Sequence, residues 1–429
     1  MPRAGAQTTR IATADASFTV FEVLRYAVGT LPTNPGRAQC EPEVSRMVPP
    51  DDPWNAAPAA RHDLHHAGAQ ETRVNGSARH TSRTAAALVA LGLLAAACGQ
   101  TTKQDVEPAN FTMPEVLPEV EVVEEPEEPE EPEPVGTTPL TGTALYDEDE
   151  LAVLAERPAV VVKIPNDPSA RPHTGIEEAD VVYEQETEGG TTRFAAVFHS
   201  RYPEVVGNVR SGRHVDVPLV APYDGVMVYS GARASVQNSI SAAGITRVTE
   251  GGPGFYRDGS RRAPHNLYVR LPQAAAARES PPAAPSPWRF DDAAPEGGRE
   301  VTGRVGIPVS RSATAGWEYD EEAGVFRRFQ NGSPHTVTGE GVIGAANVVA
   351  LDVPVTGRDS HGAPVYALEG TGSALLLRDG RAFDIAWSKG STHAALELVD
   401  GRDPAVLSPG PTWVVLTYGD ALARISGLE

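Results

Sequence analysis

Between Glu115 and Val135 the chain reads EVLPEVEVVEEPEEPEEPEPV, glutamates interleaved with prolines. Proline fixes φ and has no N–H to donate, so it interrupts helices and strand ladders alike. Neighbouring glutamates repel and extend the chain. No packed element can form across such a stretch, which divides the 429 residues into a leader and a head. At about 3.1 Å per residue in polyproline-like geometry, the acidic linker 98–137 reaches on the order of 100 Å. It also concentrates the acid. Lys103 to Val135 holds twelve Asp or Glu against one Lys, while Gly136 onward holds 37 acids and 26 bases, within a formal charge of −21. That balance argues against nucleic acid as a partner, because phosphates demand a basic face.

In the leader, Arg79 and Arg83 precede an apolar run from Thr84 to Ala97, followed by Cys98 and Gly99. The run is shorter than the ~20 residues a membrane-spanning helix needs but suits the core of a signal peptide. Leu94-Ala95-Ala96-Ala97-Cys98-Gly99 resembles the lipobox of bacterial lipoproteins, with Ala95 where that motif usually has Leu. The resemblance implies a signal peptide over 74–97, cleavage just before Cys98, and lipidation of its thiol. It implies export, and anchorage through the lipid to the outer face of the cytoplasmic membrane. Two or three acyl chains hold a protein there where one binds only marginally. The competing reading is an Ala-rich buried helix or an uncut signal anchor.

Residues 1–73 are rich in Pro, Arg and His without apolar periodicity and are not expected to fold. We expect them to be an untranslated or disordered extension, with Val74 or a neighbour as the true start, and set aside His62, His65 and His66 as a metal site. Both cysteines, Cys40 and Cys98, precede the head, which leaves it no disulfide framework and no Cys-based metal site. No metal or cofactor is expected.

The head begins with YDEDELAVLAERP, acids leading into apolar residues at helical spacing, which predicts a short helix. AVVVKIPND predicts a buried strand running into a turn. ADVVYEQETEGGTTRFAAVFHS predicts a hairpin with Gly189-Gly190 as a two-residue turn. That register sets Glu186 opposite Arg193 and Glu184 opposite Ala195, with a charged face carrying Glu184, Glu186, Glu188 and Arg193. HVDVPLVAPY predicts a helix starting beside Arg210 and Arg213, GVMVYSG a strand, and ASVQNSISAAG a helix closed by Gly244. GFYRDGSRRAPHNLYVR reads as a polar loop. Alternating strands and helices predict an α/β domain over 145–280. A Pro/Gly-rich linker over 281–300 follows, then a β-rich domain over 301–426 with hairpins at GWEYDEEAGVFRRFQNG and ALLLRDGRAFDIAW and a late strand, PGPTWVVLTYG. The expected class is α+β, a mixed α/β domain followed by a β-rich one.

Several consecutive motifs, from KIPNDPSARPHTGIEEADVVYEQETEGGTTRFAAVF through VGNVRSGR, RRAPHNLYV, FRRFQNGSPH and IAWSKGS to LSPGPTWVVL, resemble the YerB-type lipoproteins. The likeness runs from Val160 to Tyr418. It implies a lipoprotein with distinct N- and C-terminal parts, in a family of unknown function that carries no agreed catalytic residues.

The chemical motifs are sparse. GEGVIG matches GxGxxG, but a dinucleotide site needs a strand before it and a helix after it, and a strand-like NVVALDVPV follows instead. No GxSxG elbow, HExxH pair or P-loop occurs. Ser211 and Ser230 lie in glycine-flanked turns, where a nucleophile would need a base such as His199, His214 or His265. The densest constellation is Arg210, Arg213, Arg257, Asp258, His265 and Asn266, with Glu186 and Arg193 possible neighbours. Guanidinium forks beside a helix start would grip a phosphate or carboxylate, and His265 with Asp258 could act as acid and base. The same arginines could instead neutralise the hairpin glutamates. Trp317, Tyr319, Phe326, Phe329, Trp387 and Trp413 could stack on sugars but fit a sheet core better. The expected function is a non-catalytic envelope protein binding an anionic ligand, a wall polymer or a protein partner. The alternatives are an envelope hydrolase or transferase using the Arg/His/Asp cluster, and a structural adaptor.

Overall fold

The computed structural model describes residues 132–279, 281–339 and 341–428. Cys98, the apolar run before it and the acidic tract up to Glu131 lie outside the described residues.

The head opens with α1 (Glu148–Ala155), whose cap Asp147 accepts a hydrogen bond from the Asp149 amide. Three acids in its first turn complement the helix dipole. The chain then builds β1 (Val160–Pro165), β2 (Val181–Glu186), β3 (Thr192–Phe198), β4 (Val226–Tyr229) and β5 (Thr246–Thr249). Downstream come β6 (Arg299–Pro308), β7 (Thr314–Asp320), β8 (Val325–Gln330), β9 (Asn347–Asp352), β10 (Gly370–Arg378), β11 (Arg381–Lys389), β12 (Thr412–Thr417) and β13 (Ser426–Leu428).

Nine of these strands join in the order β5-β4-β1-β3-β2-β12-β9-β10-β11. β5, β4, β1, β2, β12 and β9 all run the same way, and β3 is an antiparallel insert between β1 and β2. The β2–β12 pairing carries the sheet from the first half of the head into the second. Every residue of β1, β2, β4 and β12 is buried. A sheet covered on both faces requires continuous rather than alternating hydrophobic runs, as VVVKIP, VMVY and TWVVLT supply.

Alternation instead sorts side chains between two cores. Val160, Val162, Ile164, Phe194 and Trp413 pack with Trp317 and Phe326, on a second antiparallel sheet of β13-β6-β7-β8. Val161, Tyr183, Val197 and Met227 pack with α2 (Asp216–Val220) and α3 (Ala234–Ala242). Gly244, in left-handed backbone at φ +67°, stops α3 where the sequence placed the stop. The β10–β11 turn is the two-residue one expected, Asp379 and Gly380 both at positive φ. Trp317, Phe326, Trp387 and Trp413 are buried, as sheet core. The strand β9 follows GEGVIG, in place of the helix a dinucleotide site needs.

Two expectations are corrected. The hairpin register slips by one: Glu186 faces Thr192, Gln185 faces Arg193 and Glu184 faces Phe194. The connection is a longer turn through Glu188, Gly189 and Gly190, with both glycines at positive φ. A one-residue slip sends each side chain to the opposite face, so Arg193 lies on the α2 side while Glu184 and Glu186 lie on the other. The segment read as a polar loop also contains two strands. Phe255–Arg257 and Leu267–Arg270 pair with each other, and the latter also with Val205–Gly207. Leu267, Tyr268 and Val269 are buried there, and only 258–266 between the strands is loop. The Pro-rich segment near 288 is held to the body, since buried Trp288 donates its indole N–H to the Leu396 carbonyl at 2.9 Å.

Candidate functional site

Side chains and loops that follow the parallel strands gather at one rim, outside the strands' carboxyl ends, where open α/β sheets place their ligand crevices. After β2 comes the turn carrying Glu188. After β4 come Ser230, Gly231 and Arg233. Arg210 and Ser211 lie alongside, tied by the Arg210 amide to the Lys163 carbonyl near the end of β1 and by the Ser230 amide to the Arg210 carbonyl. Together Glu188, Ser211, Arg213, Gly231, Ala232, Arg233 and His361 line a cleft of about 620 Å³.

Glu188 is the hub. Arg213 donates from Nη2 to Oε2 at 2.8 Å, and its Nε stands 2.7 Å from Oε1 as an ion-pair contact. Arg233 adds a contact at 2.7 Å and reaches Asp359 at 3.0 Å. Arg193 stands at 3.9 Å and donates to the Ser211 carbonyl. Burial alone would raise the Glu188 carboxyl, but the Arg213 fork outweighs it and holds the group below the usual carboxylate range. Burial, reinforced by Arg213, lowers the Arg193 guanidinium to about 10. Gly190 cannot be replaced freely, because a Cβ there would come within 2.7 Å of the Ser312 hydroxyl.

Beneath this cluster lies a buried pair, Lys163 and Asp216, 2.6 Å apart and fully excluded from solvent. Burial pulls Lys163 down to about 8 despite the opposing pull of Asp216. Asp216 also accepts from the Arg213 amide at 2.6 Å and from the Gln185 side chain at 3.0 Å, so it fixes the loop from which Arg213 projects.

On the other face of β2 the same chemistry is sealed in. Arg328 meets Glu184 at 2.5 Å with neither side chain exposed, and its guanidinium lies over the rings of Trp413, Phe194 and Trp317. Arg328 can only donate, so His335 Nδ1 accepts from it at 2.8 Å. His335 Nε2–H therefore donates to His173 Nδ1 at 2.9 Å, and His173 Nε2–H to the Pro165 carbonyl at 2.7 Å. Both rings are neutral in this chain. Burial accordingly drives His173 down to about 3 and His335 well below its ordinary value.

The remaining sequence candidates are dispersed. Glu186 is buried behind the rim, held by Arg358 at 2.9 Å and the Tyr418 hydroxyl at 2.6 Å rather than by Arg193. His265 bonds Ser169 at 3.0 Å beside the 168–170 turn, its basicity lowered by burial and then by nearby Arg210. Asp258 is partly exposed and accepts from the Ser260 amide at 2.8 Å, a turn contact rather than a partner for His265. Arg257 bonds Asn266 and Glu250 on the outer three-stranded sheet. So Arg213, Arg193 and Arg210 gather at the rim, while Arg257, Asp258 and Asn266 do not join them. Ser211 and Ser230 hydroxyls bond each other at 3.3 Å, and neither meets a histidine among the described residues. His214 instead bonds Ser235 at 3.2 Å. Arg233, Arg358 and Tyr418 escaped the sequence reading. The available signal was position, since Arg233 and Tyr418 closely follow the carboxyl ends of strands running into the rim.

Among the described residues no helix is long and apolar enough to cross a membrane. The chain is similar to "Putative lipoprotein YerB" of Bacillus subtilis (strain 168), 28% identical over 299 residues, 67% of this chain and 88% of the relative. Its fold is similar to the crystal structure of the YerB protein from Bacillus subtilis, with a TM-score of 0.59 at 25% identity over 68% of this chain and 98% of that one. Residues 140–282 match the N-terminal domain, and residues 305–414 the C-terminal domain, of a protein of unknown function designated DUF3048. With both parts present in order and a solved relative sharing its architecture, this chain belongs to the DUF3048 family.

Proposed function

We propose that this protein is exported, lipid-anchored through Cys98 and held off the membrane by its acidic tract, and that its head binds an anionic ligand without catalysis. The observation that carries the reading is the convergence of Arg213, Arg233 and Arg193 on the single carboxylate of Glu188 in an open cleft. Glu188 stands where an incoming phosphate or carboxylate would stand, and guanidinium forks suit both. The absence of a base beside Ser211 and Ser230 among the described residues favours binding over hydrolysis. The name of the Bacillus subtilis relative supports the anchor.

Calorimetric titration of inorganic phosphate into the full chain tests the binding. Wild type is expected to bind and Arg213→Ala to lose roughly tenfold or more in affinity. The anchor is tested separately by labelled palmitate, which should enter the wild-type protein and not Cys98→Ser.

A further inference from the structure

A second basic cleft, of about 690 Å³, opens on the same rim, lined by Ser310, Arg311, Arg358, Tyr418, Asp420 and Arg424 among others. Arg311 forms no ion pair among the described residues. Arg424 shares an exposed contact with Asp420 at 3.2 Å. Arg358 and Tyr418 are held in place by Glu186, and Arg358 also donates to the Tyr418 hydroxyl at 3.0 Å.

The two clefts are the two flanks of one ridge. Ser310, in the second cleft, donates its hydroxyl to the carbonyl of Gly190, two residues after Glu188 of the first. Arg358, in the second, is followed by Asp359, which Arg233 of the first cleft holds, and by His361, which lines the first. A single protein element thus separates two arginine-rich hollows, on a head whose overall balance is acidic. Local positive charge against that background focuses anions at the rim.

We infer that the second cleft is a further anion subsite, and that the two together take a flexible polymer bearing an anionic group on each repeat. The inference rests on the anion reading of the Glu188 cleft and extends it from a single anion to a chain. Linked charges that occupy both hollows gain from effective concentration what separate ions do not. Phosphodiester and uronate chains share this chemistry.

The test uses the full chain with three probes: inorganic phosphate, a linear polyphosphate and polygalacturonate. Wild type is expected to bind phosphate at two sites, and one of the polymers on the order of a hundredfold more tightly than the single ion. Arg311→Ala/Arg424→Ala, whose side chains are exposed and whose folding a thermal melt verifies, is expected to bind one phosphate and to lose most of the polymer advantage. Which polymer shows the advantage separates the phosphate source from the carboxylate one. If the double variant matches wild type in both stoichiometry and polymer affinity, the second subsite is wrong and the Glu188 cleft stands. If wild type binds neither phosphate nor polymer, both readings fall.

Discussion

Glu184 and Glu188 lie four residues apart at the end of one hairpin, and each is gripped by arginine, yet their surroundings are opposite. Glu184 meets Arg328 in a dry core, where Thr192, Asn166, Gln330, His335 and His173 complete the polar contacts. Glu188 meets three guanidinium groups in an open cleft, with Asp359 paired to one of them. In the first network the two charges are paired and sealed from water, so it fixes structure and leaves no charge to offer. In the second cation exceeds anion and water has access, so an external anion can be accommodated. The same residue types therefore serve architecture or recognition according to burial and balance.

The largest effect should come from breaking the dry network. Arg328→Ala strands an unpaired buried carboxylate and should cost about 3–5 kcal/mol by chemical denaturation. Arg213→Ala, in a cluster that keeps some contact with solvent, should cost less, about 1 kcal/mol.

Acid should discriminate next. His173 and His335 are neutral when folded, with His173 lowered to about 3 and His335 well below its ordinary value. In the unfolded chain both protonate below about pH 6.5. The unfolded state then binds more protons, so stability is complete above pH 6.5 and falls as pH falls toward the folded values. Between pH 6.5 and 5 His173 should remove about 2 kcal/mol and His335 should add a loss of the same sign, measurable as a lowered urea midpoint. A flat profile would mean that the rings are solvated.

Glu188→Gln sharpens the comparison from the other side. Removing the hub leaves Arg193, Arg213 and Arg233 repelling one another, a loss of about 1 kcal/mol or a few degrees in Tm that added phosphate should restore. Arg257→Ala, on the exposed pair with Glu250, should stay within about 0.5 kcal/mol of wild type and leave anion binding unaltered.

Much of the scaffold was legible because its signals are local. The acids before α1, the glycine after α3, the Asp379-Gly380 turn and the buried run of β1 each state their structure within a few residues. The β2–β3 register was not, because two consecutive glycines suit both a two-residue turn and the longer one through Glu188, and only packing selects between them. Leu267–Arg270 was hidden by the charged loop before it. The dry network resisted for a different reason. Arg328 and Gln330 occupy inward positions of β8, on the same face as Phe326, but a charge on an inward position declares itself only once its partner, 144 residues away in Glu184, is placed. The rim was half visible: Arg213, Arg193, Arg210 and Glu186 could be named, while Arg233, Arg358 and Tyr418 are joined to it by strand order alone.

Calorimetric titration of inorganic phosphate into wild type, Arg213→Ala and Glu188→Gln bears most directly on the claim that the Glu188 cluster is a binding cleft and not a structural brace. Wild type should bind measurably, Arg213→Ala should lose binding, and Glu188→Gln should bind more tightly, because the internal carboxylate no longer competes. No heat from wild type, and none from Glu188→Gln with its guanidinium groups unmasked, would contradict that claim.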